Sequence, residues 1–135
     1  MYQHVEFLVD RERRLLIRRV RGDARSIAVY AEFLDHYDRH PETLFYGLVT
    51  NYLDYRGRID WEEMKTYARQ VAERRAKHQG MFEPNEHYRR AAIVSIDPMM
   101  TVLVRAFPGV IPEFDFKVFR TEAEAIAWFE APDGG

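Results

Sequence analysis

The chain of 135 residues is the size of one ordinary domain and too short for two. At 47% hydrophobic and 14% aromatic residues it carries enough apolar surface for a single core, which excludes wholesale disorder. Its net charge of -2 creates no global field to attract nucleic acid or acidic lipid, and the absence of cysteine removes disulfides, thiol catalysis and cysteine-ligated metal.

The first ten residues have neither the basic start nor the apolar run of an export signal, so the expected location is the cytoplasm. Two apolar-rich runs, residues 5–9 and 13–20, flank the charged tripeptide Asp10-Arg11-Glu12 and read as a hairpin, although without an Asn-Gly or Asp-Gly turn. Gly22 closes the second strand, and Asp23 is placed to cap a helix over residues 24–39. There Ile27, Tyr30, Ala31, Leu34 and Tyr37 recur at helical spacing. Pro41 stops that helix.

Residues 44–53 read as a central strand buried on both faces. Asp60 followed by Glu63 makes a capping-box pattern, opening a helix to about His78 with Trp61, Met64, Ala68 and Val71 on one face. Residues 91–96 form a short buried strand, and Asp97-Pro98 caps a helix reaching about Phe107. Residues 114–119 are the last strand. Thr121 and Glu124 form a second capping box, before a helix through Phe129.

The order is β-β-α-β-α-β-α-β-α. It implies one α/β domain over residues 1–131: a mixed, mostly parallel sheet of about five strands with flanking helices and an antiparallel strand from the hairpin. Residues 132–135, ending in Gly-Gly, read as a flexible tail.

The strand at 44–53 ending near Asp54, the loop and helix at 60–78, and the unit Ala91-Ala92-Ile93-Val94-Ser95-Ile96-Asp97-Pro98 resemble those of the SpoIIAA-like proteins. So does the ending Phe119-Arg120-Thr121-Glu122-Ala123-Glu124-Ala125-Ile126-Ala127-Trp128-Phe129. These proteins belong to the wider STAS group of anti-sigma-factor-antagonist-like domains. The resemblance implies a small α/β domain whose relatives bind partner proteins, sometimes nucleotides or hydrophobic ligands, and mostly lack enzymatic activity. Signalling members carry a phosphorylatable Ser or Thr where the helix after the central strand begins. The corresponding segment here, Asp54-Tyr55-Arg56-Gly57-Arg58-Ile59-Asp60-Trp61, has neither. Asp60 would place a permanent negative charge there, although capping alone explains it.

Several chemistries are suggested locally and each has a plainer explanation. His36 and His40, with Glu32, share a helix face at metal-ligand spacing, yet His40 also suits a helix C-terminus. Arg11, Arg13, Arg14, Arg18, Arg19, Arg21 and Arg25 offer an anion-binding cluster, but they equally suit a charge-protected edge strand among neighbouring acids. Ser95, His87 and Asp97 lack any nucleophile-elbow motif, and no glycine-rich phosphate loop occurs. No cofactor, metal site or catalytic residue is expected.

The strongest functional feature is the helix after Asp97. Met99, Met100, Val102, Leu103, Val104 and Phe107 leave it almost no polar stripe. Such a helix is either covered twice within its own subunit or meets another molecule. The expected partner-binding residues are therefore Met99, Met100, Leu103 and Phe107. To these are added Thr50, Asn51, Asp54, Asp60 and Trp61 around the carboxyl end of the central strand, where open α/β sheets bind ligands. The expected function is a non-enzymatic interaction module that binds a protein partner or a second copy of itself, without nucleic acid or membrane insertion. The alternative is a carrier or sensor of a small hydrophobic ligand lined by Trp61, Met64, Met99 and Leu103.

Overall fold

From the second strand onward, each connection moves the chain one strand further across the sheet in the same direction. In a computed structural model that describes residues 2–132, the elements are β1 (Val5–Asp10), β2 (Leu15–Gly22), α1 (Ser26–Arg39), β3 (Gly47–Tyr55) and α2 (Trp61–His78), followed by β4 (Arg90–Val94), α3 (Pro98–Ala106), β5 (Asp115–Phe119) and α4 (Glu122–Trp128). The strands lie in the order β1-β2-β3-β4-β5, with β1 antiparallel to β2 and every other neighbouring pair parallel. Because parallel crossovers are right-handed, three successive steps in one direction put α1, α2 and α3 on the same face. Only α4, which follows the last strand and crosses nothing, is free to cover the opposite face; its Ala125 and Trp128 pack there with Phe129. The tail expected over 132–135 lies outside the described residues from 133 onward.

Alternation along the strands sorts side chains between the faces. In β2, Leu15 and Ile17 pack with α4, whereas Leu16 and Val20 join the cores under the three helices. In β3, Val49 goes with α4, and Leu48 and Tyr52 go with the helices. Buried Arg90 on β4 seals the end of α4 by donating to the carbonyls of Trp128, Ala131 and Pro132, oxygens that a helix C-terminus leaves without internal partners.

Three local expectations change. The hairpin lacks a glycine turn because Asp10 supplies the closure: its carboxylate accepts from the Arg13 backbone N–H at 2.9 Å and from Arg13 Nε at 2.7 Å. Arg14 takes the left-handed conformation (φ 53). Asp23 does not cap α1, which starts at Ser26 after Arg25 with no side-chain cap. The strand expected from residue 44 begins at Gly47, because Pro41–Phe45 forms a 3-10 helix. Leu44, Phe45 and Tyr46 are buried with Leu16, Tyr37 and Val71, so their apolar character serves packing among α1, α2 and the sheet surface rather than strand formation.

The other caps hold as read. Asp60, Asp97 and Thr121 accept from the backbone N–H groups of Glu63, Met99 and Glu124. The α2 box is completed through a distant residue. Ser26 Oγ accepts from the Asp60 N–H at 3.0 Å and donates to Glu63 at 2.6 Å, occupying the place where the glutamate would reach back. No described helix is long and apolar enough to cross a membrane.

Candidate functional site

The carboxyl ends of β3 and β4 open into a groove of about 360 Å3 between the loop after β3 and the start of α3. Met99, Met100 and Leu103 line one wall, Tyr52, Tyr55 and Arg58 the other, with Ser95 and Asp97 at the strand end. Two regions singled out in the sequence thus meet in one depression. Phe107 and Trp61 do not line it: Phe107 is buried in the core, and the half-buried Trp61 packs against it with the rings 6.4 Å apart. On α3, Met100 and Val104 are buried, as is Phe107 just after it, whereas Met99 (68% exposed) and Val102 (58%) face outward, continuing from Ile96 (67%). The helix is therefore half core and half unpartnered apolar surface.

The remaining residues disperse. Asp60 is committed to capping α2, and Asp54 is exposed at the end of β3, in register with Arg21. Asn51 faces the α4 side, where its amide donates to Glu122 at 2.6 Å. Thr50, fully buried, points the other way and meets Arg18.

Arg18 is the residue that sequence reasoning placed wrongly. Its strand is interior, flanked by β1 and β3, so the edge-protection explanation fails for β2. Of the seven arginines singled out, Arg11, Arg13, Arg14, Arg19 and Arg25 each have a carboxylate at 2.7 to 3.3 Å, and Arg21 is exposed. Arg18 is only 4% exposed and has no carboxylate partner among the described residues. Its guanidinium lies over the Phe33 ring at 3.6 Å. Nε and Nη2 donate to Thr50 Oγ1 at 3.1 and 2.8 Å, and Nη1 donates to the Tyr67 hydroxyl at 2.8 Å. The parity of the strand could have exposed this, because Arg18 lies between the inward-facing Leu16 and Val20.

This guanidinium borders a partly open cavity of about 90 Å3 between α1, α2, the sheet and the segment after α3. The apolar walls include Met64, Val71, Ile93, Phe107 and Phe116; the polar floor is Arg18, Thr50, Tyr37, Tyr52 and Tyr67. Tyr52 and Tyr67 supply no counter-charge. Burial pushes the Tyr52 hydroxyl up to about 12 and raises Tyr67 as well, so both are neutral at pH 7. A buried cation without a counter-ion carries a desolvation penalty of several kcal/mol, here offset by the hydroxyls and the ring face. The cavity takes Met64 from the lining expected for a hydrophobic ligand, but not Trp61, Met99 or Leu103.

The histidine pair forms no metal site: among the described residues no cluster of three His, Asp or Glu could hold an ion. Glu32 instead accepts from the backbone N–H groups of His4 and Val5. His36 is buried and stacked 4.1 Å from Phe7, with Nδ1 lacking a hydrogen-bond partner. Burial, assisted by the nearby His40 and by the Arg18 guanidinium, lowers it from 6.5 to about 4. Ser95 and His87 flank opposite ends of β4, a strand of five residues spanning about 16 Å. Ser95 Oγ accepts from the Asp97 backbone N–H at 3.1 Å, so the Ser-His-Asp arrangement is not assembled.

Comparison with known proteins places this geometry in context. The model of the SpoIIAA-like family matches residues 15–130. Among solved structures, the chain is similar to an uncharacterized protein of the DUF3478 family with a SpoIIAA-like fold from Shewanella loihica PV-4. The TM-score is 0.56 and the identity 14%, over 93% of this chain and 91% of that one. Comparison with curated proteins finds no match.

Proposed function

The chain belongs to the SpoIIAA-like family, whose members are typically protein-interaction modules, and from that premise we propose that it is a non-enzymatic interaction module of the cytoplasm that self-associates through the outer face of α3. One observation carries this reading: Ile96 just before α3, and Met99 and Val102 on it, are large apolar side chains left exposed at three-residue spacing, away from the buried Met100 and Val104. Apolar strips of this kind mark contact surfaces, and methionine adapts to a partner's shape. The strip also has complementary charge, with Asp97 at its start and Arg105 near its end, both exposed. Two copies of α3 packed antiparallel about a two-fold axis would set each acid near the other copy's arginine. The small net charge of -2 opposes such pairing little.

The loop before α2 contains no Ser or Thr, and the Asp60 carboxylate is engaged with the Glu63 N–H. A phosphorylation switch at that position therefore forms no part of the proposal. Sedimentation of the wild-type protein and of the double variant M99E/V102E tests it. Wild type should associate reversibly with rising concentration, and the variant should remain monomeric with an unchanged melting temperature, since both side chains lie outside the core. A wild-type protein that stays monomeric at every concentration defeats the reading.

The alternative, a carrier or sensor of a small ligand, is favoured by the cavity beside Arg18. Its polar floor changes the chemistry such a ligand would need.

A further inference from the structure

We propose that the cavity beneath α2 is a binding site for a short-chain monocarboxylate, whose carboxylate pairs with the buried guanidinium of Arg18 and whose hydrocarbon tail fills the apolar space beside it. The site is independent of the outer face of α3.

The first argument is a donor count. A guanidinium has five N–H groups. Arg18 uses two on Thr50 and one on Tyr67, which leaves one N–H on each terminal nitrogen. A carboxylate accepts from a pair of guanidinium N–H groups of this kind. Thr50 and Tyr67 each use an oxygen as acceptor toward Arg18, so each hydroxyl still has its proton to donate. Tyr37 and Tyr52 bring two further hydroxyls to the same floor. No hydrogen bond to a carboxylate or carbonyl of the described residues takes these protons, so these donors and the Arg18 cation border the same cavity with their capacity unused. An anion supplies both the acceptor and the counter-charge.

The second argument is size and lining. About 90 Å3 is roughly the liquid volume of three waters, smaller than a cavity that takes benzene. That suits a molecule of about four to six non-hydrogen atoms, such as propionate or butyrate. The walls explain why the ligand carries a hydrocarbon tail: Val71, Ile93, Phe107 and Phe116 offer it no hydrogen bond.

The third argument is how the space arises. Only Met64 and Val71 of the eighteen α2 residues are buried, and beside them the helix presents the half-buried Ala68 and, at the cavity's outer side, the exposed Ala72. Two methyl groups roof a volume that larger side chains would fill. Access lies beside Ala72, Arg75, Ile111 and Glu113. Arg75 is occupied there, donating to the Leu44 carbonyl at 3.0 Å and covering the Phe114 ring at 4.2 Å. The exposed Glu113 makes only a small contribution to the field at Arg75, behind burial and the tyrosines.

The test titrates butyrate and 1-butanol separately into the full-length protein, following backbone amide shifts at Thr50, Tyr67 and Ile93. Butyrate should bind saturably in the millimolar range and at least about tenfold more tightly than the alcohol, the difference expected of a charge-assisted pair. R18M should abolish that preference. In case R18M does not fold, A68F fills the cavity from the helix side and keeps the guanidinium; it should lose butyrate binding while retaining a dispersed spectrum. Three outcomes would each overturn the proposal: no saturable shift up to tens of millimolar butyrate, equal affinity for the alcohol, or undiminished butyrate binding in A68F.

Discussion

The two faces of the sheet are built from the same five strands and are packed differently. The α4 face is small and dense. Trp128 and Phe129 press on Val49, Ala92 and Val94, a β-carbon on Gly47 would come within 2.6 Å of the Phe129 ring, and polar groups at its margin are paired. Arg19 and Asn51 both bond Glu122, which holds that carboxyl below its usual range. The other face is roofed by three helices, and it keeps a cavity, two orphaned histidine nitrogens on His36 and His78, and a cation without a counter-ion. A single terminal helix can settle wherever packing is best. Three crossover helices are tied to strand spacing at both ends, and α2 bridges the gap with alanines. Incomplete packing therefore accumulates on the face that the crossovers must cover.

The largest expected effect probes the dense face. Trp128→Ala should cost about 3–5 kcal/mol in urea unfolding, because the ring also packs against Phe119 and Phe129 and lies beneath Arg90. A loss below about 1 kcal/mol would mean that this face is no tighter than its counterpart.

The polar heart of the helical face should show in pH dependence. His36 titrates near 4 in the folded protein and 6.5 in its ordinary state. Above pH 6.5 both folded and unfolded forms are neutral, and stability is at its plateau. As pH falls from 6.5 towards 4 the unfolded chain gains a proton that the folded chain refuses, so stability drops by as much as about 3 kcal/mol, levelling below pH 4. Melting temperatures across this range measure it. His36→Phe should remove this component of the slope, and an unchanged slope would contradict the assignment.

The smallest effects give the cleanest contrast, because Ala91 and Ala92 are neighbours on β4 that face opposite ways. Ala92, fully buried under α4, should tolerate valine poorly, with a loss of about 1–3 kcal/mol from overpacking. Ala91 borders the cavity, and the same substitution should change stability by less than about 1 kcal/mol in either direction. Equal losses at both positions would erase the distinction between the faces.

Much of this architecture was legible in the residues. Caps at Asp60, Asp97 and Thr121 were visible because a cap is a short-range hydrogen bond. The element order was visible because hydrophobic period is a local property. The failures involve residues whose partners are distant. Asp23 resembled a cap, yet the chain stays outside helical geometry until Ser26, whose hydroxyl serves α2. Residues 44 to 46 resembled a strand because buried apolar residues look alike in either conformation. The candidate site was half visible: Met99, Met100 and Leu103 do meet the loop after β3 in one groove, while Thr50 and Asn51, adjacent in sequence, serve opposite faces.

From the residues alone came the succession of strands and helices, the caps that begin three of those helices, the apolar character of α3 and the family resemblance, all of which depend on neighbours within a few positions. Only the tertiary structure decided which charges are neutralised. Arg18 and Arg19 are consecutive, yet Arg19 meets Glu122, 103 positions away, whereas Arg18 meets Thr50 and Tyr67, 32 and 49 positions away, and no acid. A strand turns successive side chains to opposite faces, and what waits on each face depends on how remote segments pack.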